Sequence, residues 1–420
     1  MTVSKNPELI VIGGGPAGMM AAGTAAERGS SVLLIEKNSR NGKKLLITGK
    51  GRCNVTNDCS RDEFFNNIPV NPKFLFSAFS RFDNHDVMDF FEQRGVALKV
   101  ERGNRVFPVS DKAADINNAL TDYCRHNGVR TVHDTVTAIH YEDGRVVSVE
   151  TELGGVWECS QCILATGGLS YPLTGSTGDG YRFAQEAGHE IVKPKPSLVP
   201  LVIAEKDCRD AQGLSLKNIA ITVREADSGK VIYKDFGEML FTHFGMSGPV
   251  ILSASSHIRN ANKKHIISID LKPALTLEQL DARIQRDFSA NINKDFGNSL
   301  SKLLPQKMIS VIIKRADIPY NTKVNSIRRE QRLALAQLLK NLEYTVVGFR
   351  PIEEAIITSG GVSVARVNPR TMESKLVEGL YFAGEILDLD AHTGGFNLQI
   401  AFSTGRCAGM AAAERLGYDT

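Results

Sequence analysis

Glu8-Leu9-Ile10-Val11-Ile12 runs directly into Gly13-Gly14-Gly15-Pro16-Ala17-Gly18, then into an Ala-rich stretch and Ser31-Val32-Leu33-Leu34-Ile35-Glu36. An apolar strand, a Gly-x-Gly-x-x-Gly turn, a helix and a second strand ending in an acid form a dinucleotide-binding βαβ fingerprint. Gly13 allows the tight turn, Gly15 lets the backbone approach a pyrophosphate, and Gly18 lets helix and strand pack closely. Pro16 and Ala17 open the helix, whose unpaired N–H groups and partial positive charge suit phosphates. Glu36 lies 18 residues past Gly18, placed to accept hydrogen bonds from ribose hydroxyls, and Lys37 beside it joins the cofactor candidates.

Working outward, 420 residues are too many for one core, so two or three domains are expected. The 42% hydrophobic and 23% charged content is that of a soluble globular chain. No apolar run is long enough to span a membrane, and Met1 to Ile10 lacks a signal-peptide pattern, so a cytoplasmic protein is expected. The seven cysteines are scattered and odd in number, which suits a reducing compartment. Cys159-Ser-Gln-Cys162 has no partner pair for zinc and leads into an apolar strand, so a structural role is expected and no metal site.

The pattern changes character twice. Residues 1–192 alternate helices and strands. Lys193-Pro-Lys-Pro196 then reads as a stiff, extended break. Short β-type runs follow at Leu198–Ile203, Ile219–Arg224, Val231–Lys234 and His265–Leu271, as in an antiparallel sheet or small barrel. Helical spacing takes over at Leu275–Phe288, Leu303–Arg315 and Ser326–Leu342. From Leu271 to Lys340 there are 13 Lys and Arg against six Asp and Glu, a local +7 that leaves −4 for the rest of the chain. A compact basic helical module fits a polyanion, and equally an ordinary solvated helix surface. The expected organisation is a discontinuous Rossmann-like α/β domain (1–192 and 353–420) interrupted by a β-barrel-like domain (193–271 and 341–352) and a basic helical domain (272–340).

The returning α/β sequence carries a second motif. Gly379-Leu-Tyr-Phe-Ala-Gly384-Glu385 is a strand ending in small residues and an acid, followed by Ala391-His392-Thr393-Gly394-Gly395-Phe396-Asn397 and a helix. Two-part FAD domains need such an element and NAD-only domains do not. Glu385 is placed for ribityl hydroxyls. Gly394-Gly395 can aim a helix N-terminus at the pyrimidine end of a flavin. Ala165-Thr166-Gly167-Gly168 closes a strand where the chain could pass the dinucleotide. These three elements favour FAD. No second Gly-x-Gly-x-x-Gly unit is visible, so NAD(P)H would dock only transiently as electron donor.

Gly49-Lys-Gly-Arg-Cys-Asn-Val-Thr-Asn57 and Leu240-Phe-Thr-His-Phe-Gly-Met-Ser-Gly-Pro249 are long, specific motifs. With Thr166-Gly-Gly-Leu-Ser-Tyr-Pro172, Gly175-Ser-Thr-Gly-Asp-Gly180 and Thr358-Ser-Gly-Gly-Val362, they make the chain resemble the BaiN-like (YhiN-like) flavoproteins of the glutathione-reductase structural superfamily. The resemblance implies bound FAD, a flavin domain interrupted by a β-barrel, and a helical domain within that insert. It places Lys44, Gly51, Arg52, Cys53 and Asn54 in a loop that wraps the flavin.

The resemblance also implies a choice of reactions. Family members are linked to reducing an rRNA uridine to dihydrouridine, to reducing unsaturated bile-acid intermediates, and to oxidising small amines such as aminoacetone. The two reductions share hydride transfer from flavin N5 to an activated C=C and need a general acid. Cys53, with Arg52 tuning its pKa, is the first candidate acid; His243, between Phe241 and Phe244, is the second, and His392 the third. The rival readings are a packed thiol, a turn-stabilising histidine and a helix-capping histidine. Tyr171 and Arg52 are further candidates for a substrate carbonyl or phosphate. The leading expectation is an FAD-dependent reductase acting on ribosomal RNA through the basic segment. The alternatives are a small-molecule flavoenzyme and a non-catalytic flavin-binding sensor.

Overall fold

A computed structural model describes residues 7–258 and 263–418. They form two compact units, one built from the chain up to Ser197 and from Ile352 onward, the other from Leu198–Pro351.

The first unit is organised on a five-stranded sheet in the order Leu380–Phe382, Gln161–Leu164, Leu9–Ile12, Val32–Glu36, Arg130–His133. All neighbours run parallel. The first four of these strands are buried along their whole length. That explains their unbroken Val, Ile and Leu runs, because a parallel sheet is covered on both faces. The fingerprint helix Pro16–Glu27 packs on the C-terminal helix Phe396–Arg415 with little side chain between them. A Cβ at Gly405 would lie 2.4 Å from the Ala17 carbonyl oxygen, and one at Gly409 would lie 2.3 Å from that of Ala21. Ala-rich composition on one helix and glycine on the other permit this approach.

Two antiparallel three-stranded sheets, which the reading of 1–192 as alternating helices and strands lacked, complete this region. One joins Thr56–Asn57, Arg105–Pro108 and Leu98–Glu101; the other is the meander Val136–Glu142, Arg145–Thr151, Gly155–Glu158. The expected break at Lys193–Pro196 is instead part of a strand, Ile191–Ser197, paired antiparallel with Ile357–Val362. The ladder has only two strands and shifts register between Val192 and Lys195, so its prolines displace few hydrogen bonds.

The second unit contains a closed six-stranded antiparallel barrel: Leu201–Ile203, Gly245–Ser247, Val231–Phe241, Ser215–Glu225, His265–Asp270 and Leu342–Phe349. The helices Leu277–Ser289, Gln306–Arg315 and Arg329–Lys340 lie in the same unit, between the strands His265–Asp270 and Leu342–Phe349 in the chain. Thr276 and Gln279 cap the first reciprocally. The second begins three residues later than the apolar spacing suggested, because Pro305 occupies its N-cap. Barrel residues such as Ile221, Phe241 and Tyr344 share one apolar core with Leu280, Ile312 and Leu339 of the helices.

Among the described residues no helix is long and apolar enough to cross a membrane. No three His, Cys, Asp or Glu side chains among them gather as a metal site.

Candidate active site

Gly13 adopts φ +106°, and a Cβ there would meet the Ala165 carbonyl oxygen at 2.5 Å, so the strand end Ala165–Thr166 passes directly against the fingerprint turn. At Gly18 a Cβ would sit 1.8 Å from the Gly13 carbonyl oxygen. At Gly15 it would meet nothing within 4 Å. Two glycines are thus required by protein packing, and the third faces open space. The helix beginning at Pro16 has no side-chain cap and no acid in its first turn, leaving its N–H groups for an anion. Gly384, at φ +79°, brings the C-terminal segment onto the same helix, where a Cβ would lie 2.7 Å from that of Ala17.

Glu36 is buried and braces the turn itself. Its Oε2 accepts from the Gly14 N–H at 2.7 Å, and its Oε1 accepts from the N–H and Nδ2 of Asn38 at 2.8 and 2.5 Å. A ribose hydroxyl would therefore share a carboxylate that already accepts three hydrogen bonds. Lys37 pairs with Asp179 at 2.6 Å and also meets Thr177. Burial would raise the Asp179 carboxyl, but hydrogen bonds from Lys37 and Thr177 outweigh it and hold the group below its ordinary value.

Glu385 is likewise engaged. Lys44 donates to its Oε2 at 2.6 Å, while Ser170 Oγ and the Thr358 N–H donate to its Oε1 at 2.9 and 2.8 Å. Lys44 also reaches Ser170 Oγ at 2.7 Å. The expected ribityl ligand is thus the hub of a network joining four distant stretches of sequence. Ser170 and Thr358 lie in quoted motifs, but nothing local marked them as partners of Glu385.

The loop around Cys53 is wound by a run of left-handed residues: Gly49, Lys50, Gly51 and Cys53 have φ of +60°, +59°, +83° and +59°. Arg52 points to Glu101 (2.5 Å) and Asp111 (2.5 Å) and lies over the Phe107 ring. Cys53 has no accessible surface. Burial pushes its thiol well above the ordinary value, and Arg52 does not offset this, so the expected tuning of Cys53 by its neighbour is not found. The loop ends are pinned to the C-terminal helix. Thr56 Oγ1 donates to Gln399 Oε1 at 2.7 Å, and Asn57 Nδ2 donates to the Gly394 carbonyl oxygen at 2.9 Å. Gly395, at φ +99°, would place a Cβ 2.3 Å from the Thr56 carbonyl oxygen, so only glycine fits this junction.

The helix that follows Gly394 and Gly395 also lacks a side-chain cap. Phe396 is buried against Phe64. Asn397 closes the preceding loop by accepting from the Ala391 N–H (3.0 Å) and donating to the Ala391 carbonyl oxygen (2.8 Å). His392 is half-buried. Its N–H donates to the Asn67 carbonyl oxygen, and its Nδ1 lies 3.0 Å from Asn67 Oδ1. Since Asn67 Nδ2 donates to the Glu63 carbonyl oxygen, Oδ1 is the acceptor and Nδ1 carries the ring proton. His243 belongs to the second unit, where it is exposed on the turn after Phe241 and packs edge-on against Phe244 at 4.9 Å. Tyr171 is half-buried at φ +52°. Burial raises its hydroxyl pKa.

The first unit suits a long, doubly anionic dinucleotide. Gly15 leaves an open cradle before a bare helix terminus, and the buried Thr166 Oγ1 and Asn54 Oδ1 have no hydrogen-bond partner among the described residues. Gly167, at φ +76°, continues the turn after Thr166. Gly13–Gly18 would hold the pyrophosphate, Glu36 and Lys37 would border the adenosine side, and the 394–397 turn would supply the second helix terminus.

A split Rossmann-type domain, a barrel insert and two bare helix termini define an FAD-dependent oxidoreductase. The chain belongs to the HI0933-like protein Rossmann domain family, whose model matches residues 7–411. It is 30% identical over 416 residues to a ribosomal RNA dihydrouridine synthase from Haemophilus influenzae, covering 98% of this chain and 100% of the relative. It is also 30% identical over 418 residues to a 3-dehydro-bile acid delta(4,6)-reductase from Clostridium scindens, covering 96% and 98%. In fold it is similar to the 3-ketosteroid delta1-dehydrogenase of Sterolibacterium denitrificans, with a TM-score of 0.53 at 13% identity, covering 98% of this chain and 100% of that one.

Proposed function

We propose that this chain is a reductase of an activated C=C bond whose substrate is a uridine in ribosomal RNA. The observation that carries this reading is the end-to-end similarity to a ribosomal RNA dihydrouridine synthase. The bile-acid reductase, equally similar over its whole length, also saturates carbon–carbon bonds, so the reaction class agrees while the substrate differs. When bound, FAD supplies the hydride chemistry.

The chain's own residues bind, position and handle the proton. Gly13–Gly18 and the helix from Pro16 would hold the pyrophosphate, and Lys44 and Glu385, which fix one another at 2.6 Å, would hold the ribityl chain. We assign the proton to His392 ahead of Cys53. A general acid works best with a pKa near the operating pH, and burial moves the Cys53 thiol far from it. His392 presents Nδ1–H to Asn67, which orients the ring.

The basic segment supports an RNA partner less strongly than its raw charge. Arg283, Lys314, Arg315, Lys323, Arg332 and Lys340 sit in ion pairs, three of them with Asp207, Asp210 and Asp270 outside the segment. Arg286, Lys294, Lys302, Lys307, Arg328 and Arg329 are exposed and make no ion pair among the described residues. Those six supply the phosphate contacts.

The test is direct. Reduced, FAD-loaded protein is mixed with rRNA from a strain lacking the gene, and dihydrouridine is read by mass spectrometry. Formation at one discrete position is expected; a reduced bile-acid enone with untouched RNA would move the assignment to the small-molecule reading.

A further inference from the structure

Tyr320 is a large aromatic residue left 48% exposed on the basic helical segment, and it is held rigidly there. Its ring lies on Gly297, where a Cβ would sit 2.1 Å from Tyr320 Cε2, so the absence of a side chain at 297 makes the seat for the ring. Its hydroxyl donates to Asn298 Oδ1 at 2.7 Å. The Gly297 N–H donates to the Tyr320 carbonyl oxygen at 3.0 Å, and the Phe296 N–H to that of Thr322 at 2.8 Å. Backbone and side chain therefore fix the same ring from two directions.

The surroundings are cationic. Segments 293–298 and 320–324 run side by side through the Asp295–Lys323 bridge. Lys323 neutralises Asp295 at 2.8 Å. Lys294 is exposed on that ladder, and Lys302 is exposed one turn beyond Asn298, against one exposed acid, Asp317. A pre-ordered aromatic face flanked by unpaired lysines matches what an unstacked base and its phosphates require.

We infer that Tyr320 is a base-stacking platform for single-stranded RNA, with Lys294 and Lys302 taking the adjoining phosphates. The inference rests on the RNA reading above and adds where the RNA is gripped. A duplex, whose bases are already stacked, should use the lysines and not the ring.

The experiment measures binding of the FAD-loaded protein to a single-stranded RNA oligonucleotide carrying 2-aminopurine, and to the matching duplex, with thermal melts as fold controls. Tyr320→Leu keeps an apolar cover over Gly297 and should weaken single-strand affinity roughly tenfold and abolish 2-aminopurine quenching, with duplex affinity unchanged. Tyr320→Phe, which loses only the Asn298 bond, should keep the quenching. Wild-type single-strand affinity and quenching retained in a folded Tyr320→Leu protein would overturn the platform while leaving the RNA reading intact. No RNA binding by the wild-type protein would overturn both.

Discussion

Gly15 and Gly18 share one turn, yet a side chain at each meets opposite surroundings. A Cβ at 15 enters open space, and one at 18 enters the Gly13 carbonyl. Gly15→Ala should leave the melting temperature of FAD-free protein within about 2 °C while weakening FAD binding at least tenfold. Gly18→Ala should cost about 3 kcal/mol of stability before any cofactor is added. Thermal melts and flavin-fluorescence titration separate the two. Cys53 and His392 divide in the same manner. Cys53→Ala should lose about 1 kcal/mol of packing and keep its pH–rate profile. His392→Ala should lower turnover about a hundredfold and remove the profile's alkaline limb, where a general acid has lost its proton. The reverse outcome would return the proton to the thiol. Cysteine in a Gly-rich loop was legible as a motif, with proton donor and packed thiol both open; the choice between them was not, because it depends on a run of left-handed residues that sequence spacing does not reveal.

At the scale of elements, the fingerprint strand, turn, helix and acid were readable because each is local and constrained by phosphate geometry. The partners of Glu385 were not, since Lys44, Ser170 and Thr358 meet it from remote stretches. Glu385→Ala should cost about 2 kcal/mol, discounted for partial exposure, because it strands three donors at once. Lys44→Ala should cost about half as much, and a double-mutant cycle should show the two effects to be less than additive. The Ile191–Ser197 strand was missed because its two prolines argue against a ladder, and a two-stranded edge is where that argument fails. His189 sits buried beside Phe382, with Nε2 on Ser374 Oγ at 2.8 Å. Burial lowers its pKa from 6.5 to about 4. The native state thus binds fewer protons than the unfolded chain between these values. Stability from this group is present above about pH 6.5 and is lost as pH falls toward 4, by at most about 3 kcal/mol. His189→Gln should flatten that part of the melting-temperature curve.

For the whole molecule, the sequence showed an insert within a split flavin domain, and the six-stranded barrel has that place in the chain. It did not show that barrel and helices bury one core, because alternating apolar residues on strands and three- and four-spaced ones on helices point inward without naming their partners. Nor did it show that acids outside the basic segment consume part of its charge. Association with single-stranded RNA should therefore depend on salt less steeply than 13 cations imply. Up to six phosphate contacts correspond to a log–log slope of about −4 or shallower. Reduction of a uridine in ribosomal RNA is tested by mapping dihydrouridine across the rRNA of a gene-deletion strain. One position is expected to lose its dihydrouridine and to regain it with the wild-type gene but not with His392→Ala. An unchanged dihydrouridine map in the deletion strain would contradict it.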